Sequence, residues 1–192
     1  MTWRLVLVGS LAAGMLVLAQ REVSAPPNRV GEPLGALEAD FVANAPGPLE
    51  NRPLLIEFWA TWCPSCRRTV PQFNQLHAKY KDQGLVVIGL SDEPADVLQA
   101  FIQAQPTHFA VASDPEGRLS RRMGITFIPY CVLVDASGKI VWQGSPHLIP
   151  DGLIPKVLAE AAKIPKAGTS QENAPTGPAP APFRPGPRPN WY

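Results

Sequence analysis

The chain has 192 residues, 45% of them hydrophobic and 17% charged, and a formal net charge of +1 at pH 7. This length allows one domain with a substantial core and additional terminal segments. Acidic and basic residues are interspersed, without a basic stripe or alternating basic and aromatic residues, so the composition argues against nucleic-acid binding.

The N-terminal residues predict export. Leu5 to Ala19 form an uncharged apolar run after Arg4. The run is shorter than the roughly 20 residues of a membrane-spanning helix, and it matches the apolar region of a signal peptide. We therefore predict that residues 1–25 are either a cleaved signal peptide or a membrane anchor. The remainder would be periplasmic or otherwise extracytoplasmic, and an uncleaved segment 5–19 would tether it to the inner membrane.

The next segment predicts a strand that leads into a helix. Gly31 to Asn51 holds short apolar pieces and Pro-Gly turn signals, which favour an N-terminal strand or hairpin. Leu54 to Ala60 is an apolar run typical of a buried strand. The following apolar residues recur at the 3.6-residue period of a helix, at Cys66, Val70, Phe73, Leu76 and Tyr80. Two cysteines, Cys63 and Cys66, therefore lie at the start of this helix.

The sequence Trp62-Cys63-Pro64-Ser65-Cys66 predicts thiol–disulfide exchange. At a helix N-terminus, unpaired N–H groups and the helix dipole favour a thiolate, which lowers a thiol pKa from about 8.5 to roughly 3.5–7.5. Such a thiolate attacks a disulfide and forms a mixed disulfide, which a second thiol in bonding reach then resolves.

Two other interpretations of this motif are weaker. A structural zinc ion needs four ligands, and the remaining candidates, Cys131, His77, His108 and His147, form no second half-site of the usual spacing. A purely structural disulfide that closes so few residues would stabilise the fold little. We therefore predict no metal and no cofactor.

The rest of the chain alternates predicted strands and helices. The pattern favours an α/β domain with a mixed sheet, whose active site lies beyond the carboxyl ends of the strands. The predicted strands are 85–90, 109–111, 130–134 and 139–143, the last two forming a hairpin, and the predicted helices begin near Ser91, Asp114 and Asp151.

Residues 165–192 contain eight of the 23 prolines and predict a disordered tail with partial polyproline II character. The tail is either a flexible spacer or a docking segment. In the second case a partner would contact the aromatic and basic residues of the tail, which are Phe183, Arg184, Arg188, Trp191 and Tyr192.

The run from Glu57 to Cys66, followed by Ile128-Pro129 ahead of a strand, resembles the thioredoxin superfamily. Residues 31 to 163 resemble its exported TlpA/ResA/DsbE-type thiol–disulfide oxidoreductases. The resemblance implies a thioredoxin-like domain over residues 26–164, with a mixed sheet flanked by helices and an N-terminal strand or hairpin extension.

The resemblance also implies roles for individual residues. Cys63 would be the exposed nucleophile and Cys66 the buried resolving thiol, the two forming the redox-active disulfide. Pro129 would be a cis-proline facing them. Substrate would contact the surface formed by Trp62, Pro64, Ile128 and Pro129.

Glu57 is the candidate proton-transfer group. It stands where thioredoxins carry a buried acid, whereas many TlpA-like relatives carry Glu at the position of Thr69. The alternative is a carboxylate that faces solvent at a strand edge, but Glu57 interrupts an otherwise apolar run, which favours burial. The remaining cysteine, Cys131, shares a sheet face with Pro129 by period-2 alternation. We expect an inert core cysteine there, the alternative being a redox relay.

We therefore predict an enzyme that reduces disulfides in proteins. The resemblance implies a membrane thiol reductase as electron donor and a role in the maturation of cytochrome c or of respiratory oxidases. Two alternatives remain, a partner-binding thioredoxin-fold module with a docking tail and a thiol peroxidase. The second is disfavoured because Ala60 stands where a peroxidase usually carries Thr.

Overall fold

The computed structural model describes residues 25–164, which form one six-stranded sheet with helices on both faces. The predictions for residues 1–24 and 165–192 lie outside this range. No helix within the described range combines the length and apolar character needed to cross a bilayer. The elements are β1 (Asp40–Ala43), β2 (Leu54–Phe58), α1 (Pro64–Tyr80), β3 (Val86–Ser91), α2 (Ala95–Ala104), β4 (Ala110–Ser113), α3 (Arg118–Met123), β5 (Tyr130–Val134), β6 (Ile140–Gly144) and α4 (Leu153–Ala161).

The sheet has the order β1-β4-β3-β2-β5-β6 and is mixed, as predicted. Strands β2, β3 and β4 are parallel neighbours. Strand β1 pairs antiparallel with β4, β5 with β2, and β6 with β5. Of the two predictions for residues 31–51, the strand is correct and the hairpin is not, because β1 pairs with β4 far along the chain. The predicted hairpin of β5 and β6 is present, and Gly138 N donates to Asp135 O across its turn.

Every residue of β2, β3, β4 and β5 is buried, because the sheet is covered on both faces. Alternate residues of a strand point to opposite faces, so they divide between two hydrophobic clusters. One cluster packs α1, α2 and α4 against the sheet and includes both active-site cysteines. The other packs α3 against the opposite face.

Gly89 of β3 lies where no side chain fits. A Cβ atom there would lie 2.8 Å from Trp59 Nε1 and 2.9 Å from Phe109 Cε2. Both neighbours are rigid rings with at most 3% exposure, so neither can move aside easily. Glycine at this position allows Trp59 to pack against the sheet beside the active site.

We predict that Gly89→Ala destabilises the protein by about 3 kcal/mol, the upper part of the range for overpacked cores. The measurement is urea unfolding of the oxidised protein. Gly47→Ala is the comparison, because Gly47 has nothing within 4 Å but a φ of +72°. It should cost about 1 kcal/mol of backbone strain. Equal losses in the two variants would contradict the packing argument.

Candidate active site

Strand β2 leads directly into the cysteine motif. Trp59 N still donates to Leu90 O of β3, and a turn from Ala60 to Cys63 then reverses the chain, with Cys63 N donating to Ala60 O at 3.2 Å. Cys63 is the N-cap of α1, and its Sγ accepts a hydrogen bond from Cys66 N at 3.2 Å. Pro64 occupies the first turn, where its missing N–H costs nothing. The motif thus lies at a helix N-terminus beyond the end of β2, as predicted.

Cys63 and Cys66 form a disulfide. Cys66 is fully buried, whereas Cys63 is 4% exposed and lines an open cavity of about 570 Å³. Cys63 is less exposed than predicted, and its Sγ also contacts Cys66 N and Ser65 Oγ, each at 3.2 Å. The order of access to the two sulfurs nevertheless agrees with the expected roles of nucleophile and resolving thiol.

Three of the four predicted substrate-contacting residues line the same cavity as Cys63, namely Trp62, Pro64 and Ile128. Trp62 is 66% exposed, so its ring stands out at the rim. Pro129 does not line the cavity, but the Ile128–Pro129 peptide bond beside it is cis, as the resemblance implied. Asp92 is a further lining residue, and partial burial raises the pKa of its carboxyl group.

Glu57 is the penultimate residue of β2 and is buried, with 1% of its surface exposed. Its neighbours in register are Gly89 on β3 and Cys131 on β5. Burial raises the pKa of Glu57 to about 8, against a smaller lowering by its side-chain hydrogen bond with Thr69. The alternative of a solvent-facing carboxylate is therefore wrong.

Thr69 connects Glu57 to the helix that carries the cysteines. Its Oγ1 lies 2.5 Å from Glu57 Oε1 and 2.6 Å from the backbone oxygen of Cys66. A hydroxyl group has one proton and cannot donate to both oxygens. A protonated Glu57 resolves this conflict, because its O–H then donates to Thr69 Oγ1, which donates to the Cys66 carbonyl. The raised pKa of Glu57 agrees with this arrangement.

Cys131 is a free, fully buried thiol directly opposite Glu57. Burial raises its pKa, and the nearby Glu57 carboxyl raises it further. The inward orientation predicted from strand alternation is thus correct, and the thiol is in the environment of an unreactive core cysteine.

The sequence analysis missed Glu93, which is only 7% exposed. Its two carboxylate oxygens accept hydrogen bonds from Thr61 N and Thr61 Oγ1, each at 2.6 Å, and Oε2 also accepts one from Ser91 Oγ at 3.1 Å. Thr61 belongs to the turn before Cys63. The sequence around Ser91 to Pro94 was assigned only to a helix start, although it follows a parallel strand whose carboxyl end faces the active site.

Among residues 25–164, no three His, Cys, Asp or Glu side chains are grouped closely enough to hold a metal ion. His77 and His108 line a separate cavity of about 350 Å³ that contains neither cysteine of the motif. The described residues around Cys63 offer thiols, carboxyl groups and hydroxyl groups, which suit exchange between sulfur atoms.

Comparison with known proteins identifies the family. The family model described as AhpC/TSA matches residues 46–143, just over half of the chain. The chain belongs to the AhpC/TSA family. The structure is similar to the thioredoxin domain of a thiol-disulfide oxidoreductase from Bacteroides vulgatus, with a TM-score of 0.57 and 21% sequence identity. The match covers 70% of this chain and 99% of that domain. The predicted thioredoxin-like fold is therefore confirmed.

Two curated proteins that are similar in sequence to this chain carry names of thiol–disulfide exchange proteins. It is 30% identical over 95 residues to thiol-disulfide oxidoreductase ResA of Bacillus thuringiensis subsp. konkukian, covering 49% of this chain and 55% of the relative. It is 30% identical over 109 residues to a thiol:disulfide interchange protein DsbE homolog of Paracoccus denitrificans, covering 57% and 59%. The chain thus matches little more than half the length of these relatives.

We predict that Glu57 makes the stability of the oxidised protein fall between pH 5 and pH 8. Its folded pKa of about 8 lies above the unfolded value of 4.5, so the folded state holds a proton that the unfolded chain releases in this window. The stability present below pH 4.5 is therefore lost as the pH rises, by about 1 kcal/mol per pH unit.

Glu57→Gln should remove this slope. The measurement is urea unfolding of both oxidised proteins at pH 5, 6, 7 and 8. The difference between the two proteins cancels the contributions of groups that they share. Parallel pH profiles would show that Glu57 ionises normally in the folded protein.

Proposed function

We propose that this chain is an extracytoplasmic thiol–disulfide oxidoreductase that reduces disulfides in proteins. The observation that carries the proposal is the Cys63–Cys66 pair at the N-terminus of α1, with Cys63 beside an open cavity and Cys66 buried. The names of the curated relatives support the reaction class.

The reaction begins with both cysteines reduced. The Cys63 thiolate attacks one sulfur of a substrate disulfide, forms a mixed disulfide and releases the other substrate sulfur as a thiolate. The Cys66 thiolate then attacks the Cys63 sulfur, which forms the Cys63–Cys66 disulfide and releases the second substrate thiol. Two electrons pass to the substrate, and the enzyme is oxidised by two electrons.

The helix start supports the first step. In the disulfide, Cys63 Sγ already accepts the Cys66 N–H, and the same N–H would stabilise a Cys63 thiolate. No proton need be removed by a separate base when the thiol is already ionised. The side chain of Cys66, by contrast, is fully buried on the face of α1 that packs against the sheet.

The substrate is an extended protein segment that carries a disulfide. The cavity beside Cys63 is lined largely by apolar residues, including the exposed rings of Trp62 and Phe127. An extended segment could pair with the backbone of Ile128, as in proteins that this chain resembles. The missing N–H of Pro129 supports this arrangement, because it prevents a ladder hydrogen bond within the protein at that position.

The remaining parts of the proposal concern partners and compartment. A membrane thiol reductase would regenerate the reduced pair, and the substrates would be proteins of cytochrome c or respiratory-oxidase maturation. The apolar run at residues 5–19 supports export, with either cleavage or tethering at the inner membrane.

We predict that Cys66→Ser captures protein substrates as mixed disulfides and that Cys63→Ser captures none. Without Cys66, the mixed disulfide at Cys63 has no resolving thiol. The measurement is non-reducing electrophoresis and mass spectrometry after expression in the native host. Cys131→Ser is the matched control. Alone it should leave the activity unchanged, and combined with Cys66→Ser it should leave the capture unchanged, because Cys131 is fully buried beside Glu57.

The direction of electron flow is tested in the same cells by acid quenching and alkylation. A reductant should hold Cys63 and Cys66 mostly reduced. A mostly oxidised pair would contradict the proposed direction. Retention of the biological role in Cys63→Ser would instead favour the partner-binding module, and rapid turnover of hydrogen peroxide would favour the peroxidase.

We further propose that Glu57 transfers the proton in the resolving step. Cys66 must lose a proton before it attacks, and Glu57 contacts the helix at Cys66 through Thr69. We predict that Glu57→Gln leaves the first attack by Cys63 nearly unchanged and slows resolution by roughly 10²–10⁴-fold. In the native protein the resolution rate should rise with pH towards about 8, where Glu57 ionises.

Stopped-flow kinetics with a fluorescent disulfide substrate separates the two phases. The first phase is the internal control for correct folding of the variant. An unchanged second phase with the native pH profile would limit Glu57 to a structural role.

A further inference from the structure

Glu93 makes the strongest side-chain contact with the turn that precedes Cys63. Both donors of Thr61, the backbone N–H and the hydroxyl group, reach its carboxylate at 2.6 Å, one on each oxygen. The backbone of Glu93 is held in place by two serine side chains. Its backbone N–H donates to Ser91 Oγ, and its backbone oxygen accepts from Ser113 Oγ at 2.7 Å.

Thr61 is the second residue of the turn from Ala60 to Cys63, which is closed by the bond from Cys63 N to Ala60 O. The backbone N–H of a residue in this position has no partner within the turn and needs an external acceptor. Glu93 supplies that acceptor from the end of β3. The turn is thereby joined to the neighbouring parallel strand immediately before Cys63.

The carboxylate of Glu93 is not part of an ion pair. Of the four ion pairs within residues 25–164, none includes it, and its two oxygens accept hydrogen bonds from Thr61 and Ser91 instead. A nearly buried carboxyl group without a cation costs stability unless its hydrogen bonds compensate. Hydrogen bonds from Ser91 and Thr61 supply this compensation, and those from Thr61 join Glu93 to the turn before the cysteine motif.

We propose that Glu93 is a positioning residue that acts through Thr61 on Cys63. By fixing the turn, it holds Cys63 at the N-cap of α1, where Sγ accepts the Cys66 N–H. The same geometry in the reduced protein stabilises the Cys63 thiolate. This inference rests on the proposed exchange function and adds a residue that sets the reactivity of its nucleophile.

The test compares Thr61→Val with Thr61→Ser. Valine keeps the shape of threonine and the backbone N–H but loses the hydroxyl donor, whereas serine retains both donors. Glu93→Ala removes the acceptor, and Glu93→Ala combined with Thr61→Val gives a double-mutant cycle. For each reduced protein, the rate of Cys63 alkylation is measured against pH by peptide mapping, together with urea unfolding.

We expect Thr61→Val and Glu93→Ala to lower the alkylation rate of Cys63 at pH 7 by about tenfold, the effect of one lost hydrogen bond to a charged group. The alkylation midpoint should move to higher pH in both. Thr61→Ser should keep the native rate and midpoint. The double variant should be no slower than Glu93→Ala, because both changes break the same contact.

Two results would overturn the proposal. The first is a native pH profile in Thr61→Val and Glu93→Ala, even with reduced stability, which would limit the contact to folding. The second is a faster alkylation in Glu93→Ala with no change in Thr61→Val, which would mean that Glu93 acts only by its negative charge. A native Cys63 that fails to exchange with glutathione would instead refute the proposed function, so the two failures are distinguishable.

Discussion

The burial of Glu57 in the central strand is the constraint on which the active site depends. A carboxyl group at this depth has no cation to pair with among the described residues, so it is stable only when protonated and hydrogen-bonded. Thr69 supplies the bond and thereby ties α1 to β2. The register neighbours of Glu57 on the two adjacent strands are Gly89 and Cys131.

A second acid holds the other side of the motif. Thr61, two residues before Cys63, donates to Glu93, and Thr69, three residues after Cys66, bonds to Glu57. The cysteine motif is thus bracketed by two threonines, one bonded to Glu57 of β2 and the other to Glu93 in the segment that follows β3. Because β2 and β3 are parallel neighbours, both acids lie towards the same edge of the sheet and can fix the loop from two directions.

The sequence predicts those parts of the fold that local periodicity determines. The apolar runs of β2 and β3, the helical spacing after Cys66 and the hairpin of β5 and β6 each follow from neighbouring residues. Glu57 was recognised because a single acid interrupts an apolar run. Contacts between distant segments leave no such pattern, which is why the pairing of β1 with β4 and the bond from Thr61 to Glu93 were not predicted. The low exposure of Cys63 likewise leaves no periodic pattern in the sequence.

In the proposed cycle, Glu57 gives a proton to Cys66 in one half-reaction and takes it back in the other. In the disulfide state, Glu57 is protonated at neutral pH, since its pKa is about 8. When an electron donor attacks the Cys63 sulfur, Cys66 leaves as a thiolate in a fully buried position, where an unneutralised charge is costly. A protonated Glu57 can supply the proton that this step requires. By microscopic reversibility, the ionised Glu57 left behind is the base that Cys66 needs when it later resolves a substrate disulfide. In this proposed cycle the same buried acid would serve both halves, and its raised pKa keeps it protonated for the half that starts from the disulfide.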